Sequence, residues 1–365
     1  MPLTKIQDIE NQVIPNLGHR NILINGAMGI AQRYTSKASV SSGDFFVVDR
    51  FGGYINAAGT WTLSQSTDVP SGEGFANSSK FDCTTANGSL SSGSELSFRQ
   101  RIEGQNLQRL HKGTSSAKKT TVQFWVKSNK TGTYICELFD NDNSGRHIGK
   151  SYTISSANTW EHKTITFEGD TTGTLGNDNN TSLTLLWWLA AGSGLTSGTL
   201  QTSWGARDDT NRAVGNVNLA DNTANEWYIT GVQFEVGETA TEFEHRSVQE
   251  EFQLCRRYYT QIDVGSTNGT ILCSRFKDAT NEYMGGLSLP VRMRNTATTS
   301  SYEVNRFHKP GISYDTISSM TVSSHTFDRI QINVVPNSNT TASDSRIGML
   351  GSQNNDGYLI FDAEL

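Results

Sequence analysis

Short segments in which apolar and polar residues alternate recur along most of this chain, and they restrict its fold more than any other feature. Between Phe45 and Val236 these segments are separated by Gly, Asn, Ser and Asp, the residues that tight turns favour. Alternation at every second residue places one set of side chains on each face of a β-strand. We find no convincing helical pattern within this region. We therefore predict an all-β fold, a two-sheet sandwich or jelly roll.

Ten strands are predicted in this region. They are FFVVDRF (45–51), TWTLSQS (60–66), SSKFDCTT (78–85), ELSFRQRI (95–102), TTVQFWVKS (120–128), GTYICELFD (132–140), GKSYTIS (149–155), TWEHKTITF (159–167), SLTLLWWLAA (182–191) and EWYITGVQFEV (226–236). In the fifth, Val122 and Phe124 share one face, whereas Gln123 and Trp125 share the other. The strand is thus predicted to have one face in the core and one face outside it.

The run LTLLWWL (183–189) departs from the alternation because it is apolar at nearly every position. Such a strand is buried on both sides or lies at a subunit contact, and the sequence does not separate these alternatives. We expect at least one of Trp187 and Trp188 to lie in the core or at an interface.

The period of the pattern changes after residue 236. Four apolar residues then fall on one face of a helix, namely Val248, Phe252, Cys255 and Tyr259. Ser247 and Glu250 have the spacing of a capping box, in which side chains satisfy free backbone N–H groups at the start of a helix. We therefore predict a short helix that links the sandwich to a new region.

These patterns divide the chain into four parts: an N-terminal segment (1–40), a jelly-roll domain (41–246), the linking helix (247–259) and a C-terminal β-rich tip with a sandwich-like fold (260–365). The N-terminal segment contains NILINGAMGIAQR (21–33), which is apolar, interrupted by glycine and too short to fold alone. Its apolar residues need a partner, which is the rest of this chain, a sister subunit or another protein.

The predicted strands of the tip are GTILCSRF (269–276), MGGLSLPV (284–291), SSYEVNRF (300–307), MTVSSHTF (320–327), RIQINVVP (329–336) and DGYLIFDAEL (356–365). The last of these reaches the final residue. We expect it to hold the C-terminus in a sheet.

Charge and cysteine usage narrow the class of protein. A net charge of −6 with a pI near 5.7 argues against non-specific binding to nucleic acid. The four cysteines lack a CxxC spacing, so we expect reduced, mostly buried thiols in a chain made in the cytoplasm. No apolar run is long enough to span a bilayer, and MPLTKIQDIE lacks the features of a secretory signal.

Catalytic motifs are missing from the sequence. It contains no GxSxG, no HExxH and no P-loop. A glycosidase needs two carboxylates across a sugar, and the acidic residues here lie mostly in loops, where solvated turns are the simpler interpretation. We therefore expect a protein that is not an enzyme.

Several motifs taken together resemble tail-fibre and receptor-binding proteins of tailed bacteriophages, those of marine phages with short tails above all. They are QRIEG (100–104), FWVKS (124–128), GTY (132–134), NTWEHKTITF (158–167), YITGVQFEVG (228–237), TEFEHR (241–246) and CRRYY (255–259), with NILINGAMGIAQR near the start and DAEL at the end. The middle region is also similar to jelly-roll carbohydrate-binding modules. The likeness covers residues 20–260 well and the last hundred residues poorly.

The resemblance implies a homotrimeric virion protein that attaches to a tail or adaptor protein through residues 1–35. It also implies that the C-terminal region binds a host-surface receptor, for which a glycan is the expected chemistry. Two alternatives stay open. One is a virion decoration or structural tail protein without a receptor role, and the other is a polysaccharide depolymerase. Depolymerases of this kind usually carry a long β-helix, and we see no fixed repeat in the sequence.

Sugar binding suits such a fold because aromatic rings stack on the C–H faces of a pyranose while Asn, Asp and Gln address its hydroxyl groups. The candidate residues are Trp204, which lies in the polar stretch TSWGARDD, and Tyr302 and Tyr358 in the tip. The alternative for a Trp in a strand, such as Trp125, is that it is a core residue.

A structural calcium ion is implied by the resemblance alone, since jelly-roll carbohydrate modules often hold one near their terminal strands. Asp44, Asp49 and Glu235 are the residues that match that position. DNDNSG (140–145) also offers oxygen ligands but lacks the Glu that closes an EF-hand loop. The alternative is that these residues form ordinary turns.

Overall fold

The computed structural model describes residues 19–265, 273–276, 283–295, 298–302, 306–308, 315–324, 326–337, 348–351 and 357–365. Their fold is nearly all β, as predicted, and its larger part is a jelly-roll sandwich. None of the helices in these ranges is long and apolar enough to cross a membrane.

Ten strands build the sandwich. They are β1 (Ser36–Phe45), β2 (Gly52–Ser66), β3 (Ser78–Thr85), β4 (Glu95–Glu103), β5 (Thr120–Ser128), β6 (Gly132–Asp140), β7 (His147–Ile154), β8 (Glu161–Phe167), β9 (Thr181–Ala191) and β10 (Glu226–Val236). The short helix α1 (Ser193–Thr196) and 3₁₀ turns at Gly104–Asn106, Gln108–Leu110, Asp209–Asn211 and Leu219–Asp221 lie in the connections.

The strands form one hydrogen-bonded path, β7-β6-β9-β4-β2-β3-β10-β5-β8, with β1 beside β2. The path folds into two layers at β2, since its first half pairs with β4 and its second half with β3. Gly59 lies at this bend with a φ of +83°, and a Cβ there would come within 2.4 Å of the Thr85 carbonyl oxygen. Glycine therefore permits the bend. We call β7-β6-β9-β4 the first layer and β3-β10-β5-β8 the second.

The core between the layers is aromatic. Phe98 of the first layer lies 5.6 Å from Trp227 of the second, and Trp187 lies 5.5 Å from Phe124, as measured between ring centroids. All four side chains are at most 1% exposed. Each edge-to-face or tilted pair of this kind adds about 0.5–1.5 kcal/mol beyond the burial of its area.

Strand β9 is buried on both faces within this chain, which resolves the two alternatives for the apolar run 183–189. Trp187 points into the core, whereas Trp188 lies on the opposite face in a second apolar cluster with Ile135 and Leu186. Residues 192–218, which we call the cover segment, lie over this cluster and contribute Leu195. Both tryptophans are buried, as we expected of at least one.

Nine of the ten predicted strands of the sandwich are present. The prediction for 45–51 is wrong, because the strand β1 ends at Phe45 and the chain then turns. Val47, Val48 and Phe51 are buried in that turn, so their apolar character reflects the core and not a strand. The strand β1 itself is mostly exposed and polar. It has no alternation of apolar and polar residues, so the sequence did not predict it.

Residues 19–35 pack on the sandwich. Leu23 and Met28 are fully buried in the main core, and the Ile22 N–H donates to the Phe234 carbonyl at 2.8 Å. The partner of the apolar stretch 21–33 is therefore the rest of this chain. Residues 1–18 lie outside the described ranges.

The linking helix, α2, spans Val248–Arg256. The Ser247 hydroxyl accepts the N–H of Glu250 at 3.2 Å, as the capping box predicted. Cys255 is buried, but Val248 is 76% exposed, so the predicted apolar face holds only in the second half of the helix. Tyr259 belongs to the next strand.

The C-terminal part contains nine strands within the described residues. They are β11 (Tyr259–Gly265), β12 (Cys273–Phe276), β13 (Tyr283–Ser288), β14 (Thr298–Tyr302), β15 (Arg306–His308), β16 (Asp315–Ser324), β17 (Arg329–Pro336), β18 (Gly348–Gly351) and β19 (Gly357–Asp362). It is β-rich, as predicted, but its strands do not form the predicted sandwich-like fold. Strands β12-β13-β17-β16-β15-β18 close into a barrel, and β11-β19-β14 form a separate sheet.

The C-terminus returns to the sandwich after β19. The Ala363 N–H donates to the Tyr258 carbonyl at 2.8 Å. Arg50, which is only 2% exposed, pairs with Glu364 and stacks on Tyr258 at 3.4 Å from the ring centroid. Arg33 reaches Asp362 and Glu364, at 3.1 and 3.3 Å. The final strand therefore does hold the C-terminus in a sheet, and the last residues also bind the sandwich.

Candidate functional site

An open cleft of about 610 Å³ lies on the outer face of the second layer. Strands β5, β8 and β10 form its floor, and two loops form its walls, one before β3 and one after β10. We call it the outer cleft. It combines aromatic rings with carboxylate, amide and imidazole groups.

The floor of the outer cleft follows from the alternation along β5. Because Val122 and Phe124 face the core, Gln123 and Trp125 face outward. His162 of β8 is directly opposite Trp125 in the antiparallel register, and their rings lie 5.2 Å apart. The His162 Nε2 is 3.2 Å from the Gln123 Oε1. Trp125 is half-buried and His162 is exposed, so both offer surface to a ligand.

The wall of the outer cleft is a cluster of three rings from two distant segments. Phe75 lies 5.0 Å from Phe243 and 5.3 Å from His245, and the last two lie 4.8 Å apart. Phe243 and His245 come from TEFEHR (241–246), a motif that follows β10 and carries the chain away from the sheet.

A β-bulge in β10 makes room for this wall. The register between β10 and β5 shifts between Thr230 and Gln233, and Gly231 there has a φ of +61°. A Cβ on Gly231 would lie 2.6 Å from the Phe75 ring, so only glycine allows Phe75 to cover the strand. The bulge also changes which residues face the core, as bulges do. The simple alternation that we predicted for β10 therefore breaks at Gly231.

Hydrogen bonds fix the segment that carries Phe243. Buried Glu235 accepts the Thr241 N–H at 2.9 Å and the Thr241 hydroxyl at 2.7 Å. The Glu244 N–H donates to Gln233 at 2.8 Å. Gln123 donates to the Thr241 carbonyl. These bonds hold the wall in place before a ligand arrives, which reduces the entropy lost on binding.

The outer cleft has a negative lining. Glu73 and Glu242 are exposed at its rim, and neither carboxylate forms an ion pair with a described Lys or Arg. The protein removes part of the water around the His162 ring, and this partial desolvation lowers the pKa of His162 below its ordinary value, against the opposing attraction of Glu73. The imidazole of His162 is therefore neutral at pH 7 and can both donate and accept a hydrogen bond.

This arrangement suits the binding of a polar molecule with apolar faces. Trp125 and Phe75 offer ring surfaces, while the two histidines offer hydrogen-bonding groups around them. Among the described residues no three His, Cys, Asp or Glu side chains come together where they could hold a metal ion.

Trp204 lies away from the outer cleft. It is half-buried against the main core, and its Nε1–H donates to the Glu168 carbonyl at 2.7 Å. The Lys112 ammonium is 5.0 Å from the centroid of its ring. The polar neighbours of Trp204 in sequence suggest an exposed platform, but its N–H is used within the protein and one side of the ring faces a lysine.

Tyr358 and Asp44 lie together in a second cleft of about 510 Å³, between the sandwich and the C-terminal sheet. Its other aromatic residues are Tyr34, Phe45, Phe46 and Tyr259. Tyr302 is in β14, and only the backbone of that strand is described. The structure therefore does not place the three predicted glycan residues in one site.

The three predicted calcium ligands are also separate. Asp44 accepts from Arg99 and Arg101 at 2.5 and 2.8 Å. Asp49 is 1% exposed and accepts from Gln32, whereas Glu235 braces Thr241. In DNDNSG, Asp140 pairs with the buried Lys112. Each carboxylate is thus neutralised or bonded by protein groups in its own place.

The sequence holds some signals for the outer cleft. The alternation in β5 and β8 predicts that Trp125 and His162 face the same way, and a glycine within a strand is a sign of a bulge. The approach of Phe75 to Phe243, 168 positions along the chain, has no such signal.

Comparisons with known proteins give weak similarities of structure. No protein-family model matches the chain, and no curated protein matches it in sequence. The enzymatically active domain of bacteriophage CBA120 tailspike protein 4 has 14% identity and a TM-score of 0.33, over 60% of this chain. The chain spans only 22% of that tailspike structure.

Two further similar structures are smaller. A putative sugar-binding protein from Bacteroides thetaiotaomicron has 11% identity and a TM-score of 0.33, with 60% of this chain and 100% of that chain covered. A family 11 carbohydrate-binding module from a cellulosomal cellulase of Clostridium thermocellum has 15% identity and a TM-score of 0.27, covering 57% and 100%. Scores and identities this low carry neither a ligand nor an activity to this chain.

Proposed function

We propose that this protein is a glycan-binding protein whose outer cleft holds the sugar. The observation that carries the proposal is the outer cleft itself, where the half-buried Trp125 lies beside His162 and Gln123 and faces a wall of three rings. The negative face of an aromatic ring attracts the C–H groups of a sugar. Imidazole groups hydrogen-bond to its hydroxyl groups.

The binding is proposed to be non-enzymatic. The carboxylates of the outer cleft, Glu73 and Glu242, are exposed, and neither is buried in the way that adapts a carboxyl group to act as a general acid. Release of reducing sugar from a bound polysaccharide would contradict this part of the proposal and would favour the depolymerase alternative.

In the wider setting, we propose that the protein is a homotrimeric tail fibre of a bacteriophage, made in the host cytoplasm and located on the virion tail. The tail-fibre proposal rests on the resemblance of the sequence motifs to those of tail-fibre proteins. These motifs include parts of the strands that form the floor of the outer cleft. Attachment to the tail is proposed for the N-terminal segment. Leu23 and Met28 are buried against the sandwich, so those two side chains are not free to bind a tail protein.

The central test replaces Trp125 by Ala and measures binding to an array of bacterial glycans and to whole host cells. A well-placed Trp in a binding site contributes about 2 kcal/mol, so we expect a loss of affinity of roughly 30-fold. Trp204→Phe is the matched control, because Trp204 lies outside the outer cleft. If the Trp125 variant binds as well as the native protein while folded, the outer cleft is not the site.

The proposal of a homotrimeric tail fibre is tested separately from glycan binding. Light scattering at micromolar concentration should give the mass of a trimer, and antibodies should label the tail on virions. A monomeric mass would count against the tail-fibre proposal but would leave glycan binding untouched.

A further inference from the structure

The charges around the outer cleft distinguish among glycans. Its described lining contains two carboxylates, Glu73 and Glu242, and neither an ammonium nor a guanidinium group. Both carboxylates are exposed at the rim, where a ligand meets them first. A cleft lined by one sign of charge raises the local concentration of ligands with the opposite sign and lowers that of ligands with the same sign.

Two lysines on the floor strands are already neutralised. Lys127, two residues beyond Trp125 on the same face of β5, pairs with Asp68 and lies 4.5 Å from the Tyr228 ring centroid. Lys163, beside His162, pairs with Glu161 at 2.6 Å. Neither is free to compensate for the two rim carboxylates.

Arginine does not compensate either. The Arg20 guanidinium donates to the backbone carbonyl of Glu242 at 3.1 Å, and the structure shows no contact of that group with the carboxylate. His162 is neutral at pH 7, as described above. The outer cleft therefore faces its ligand with a net negative charge.

We infer that the outer cleft selects glycans without anionic groups, and favours those that carry free amino groups over neutral ones. Uronic acids, sialic acids and phosphorylated sugars bind less tightly because their negative charge is repelled by the carboxylates of Glu73 and Glu242. This inference rests on the proposed function. Two like charges about 4 Å apart repel each other even in water, and this repulsion corresponds to a discrimination of roughly fivefold in affinity.

The test compares oligosaccharides of equal length and linkage that differ in charge at one substituent of each sugar. Calorimetry measures the affinity for galactose against galacturonate oligomers, and for glucosamine against N-acetylglucosamine oligomers. We expect the neutral ligand of the first pair to bind roughly fivefold more tightly than the acidic one, and the amino ligand of the second pair to bind more tightly than its acetylated counterpart. The gap should nearly vanish in about 1 M salt, where the screening length is about 3 Å.

The double variant Glu73→Gln/Glu242→Gln should reduce the neutral-to-acidic affinity ratio to near one. The control is Glu168→Gln/Glu238→Gln, which removes the same charge from the exposed partners of Lys119 outside the outer cleft and should leave the ratio unchanged. Equal affinity for acidic and neutral ligands in the native protein would overturn the inference alone, as would an unchanged ratio in the first variant. If no glycan of any charge binds, the proposed function itself fails.

Discussion

The two outer faces of the sandwich carry the same kinds of residue in opposite states. On the first layer, Trp188, His147 and Glu137 are completely buried beneath the cover segment. On the second layer, Trp125 and His162 line an open cleft. The side chains of the first layer are bonded to one another around the Glu137 carboxylate. Those of the second layer leave ring surface and a ring nitrogen for a ligand.

Glu137 is the centre of the covered face. It accepts the Trp188 N–H at 2.9 Å and two N–H groups of Arg212 at 2.9 and 3.0 Å, and it lies 3.0 Å from the His147 Nδ1. These contacts fix the cover segment to the sheet. A Trp, a His and a Glu that lie together are therefore no sign of a binding site until their hydrogen bonds within the protein are known.

The largest expected effect comes from Glu137→Ala. The change leaves the Arg212 guanidinium largely buried without its partner, which typically costs about 3–5 kcal/mol. Urea denaturation should show this loss in the free energy of unfolding. Glu168→Ala, at an exposed pair with Lys119, is the control and should cost less than about 1 kcal/mol. Equal losses would mean that the covered face is not a special source of stability.

The acid dependence of stability should change in Glu137→Gln. Burial by itself would raise the pKa of Glu137, but Arg212 and His147 together lower it below its ordinary value. The ionised carboxylate thus stabilises the folded state above the unfolded pKa of about 4.3, and this contribution is lost as the pH falls through the lower folded value.

The Gln variant cannot titrate at this position, so its stability should fall less steeply than that of the native protein between about pH 5 and pH 3. Unfolding free energies across this range give the two slopes. Parallel slopes would show that the pKa of Glu137 is the same in the folded and unfolded states, so that its ionisation adds nothing to stability.

Gly231→Ala should damage the open face specifically. A left-handed backbone costs an L-residue about 1–2 kcal/mol, and the new Cβ would also displace Phe75. Gly215→Ala is a matched control, since Gly215 has a φ of +83° and a Cβ added there would meet nothing within 4 Å. Both variants should lose stability, but only the first should lose glycan affinity. If both variants lost affinity, or if neither did, the bulge at Gly231 would have no specific role in glycan binding.

The smallest effect is expected for Trp204→Phe. The variant loses the bond to the Glu168 carbonyl, worth about 1 kcal/mol, and keeps most of its ring contacts. Thermal unfolding should register a slight change, while binding to glycan arrays stays as in the native protein. A clear drop in affinity would restore Trp204 as a sugar-binding residue.

Much of the sandwich could be predicted from the sequence, because β5, β8 and β9 alternate or are apolar for reasons that packing imposes on any chain. Strand β1 could not, since its exposed polar residues give no pattern, and 45–51 was misleading because Val47 and Val48 are buried in a turn. Alternation of apolar and polar residues predicts a strand only where one of its faces is buried. It gives a wrong prediction where buried residues lie in a turn, and no prediction where a strand is exposed on both faces.

The candidate site was less accessible to prediction. The floor follows from local alternation, but the wall requires Phe75, Phe243 and His245 to meet through tertiary structure. Trp204 stands among polar neighbours in sequence, yet its ring packs on residues from elsewhere. Polarity of neighbouring positions is a poor measure of exposure when the chain folds back on itself.

The return of the C-terminus to the sandwich places the two ends of the C-terminal part side by side. Tyr259 and Asp362 are direct partners in the register of β11 and β19, so the chain leaves and re-enters the sandwich side at one place. A foreign module with adjacent ends could be grafted between these positions without stretching the scaffold.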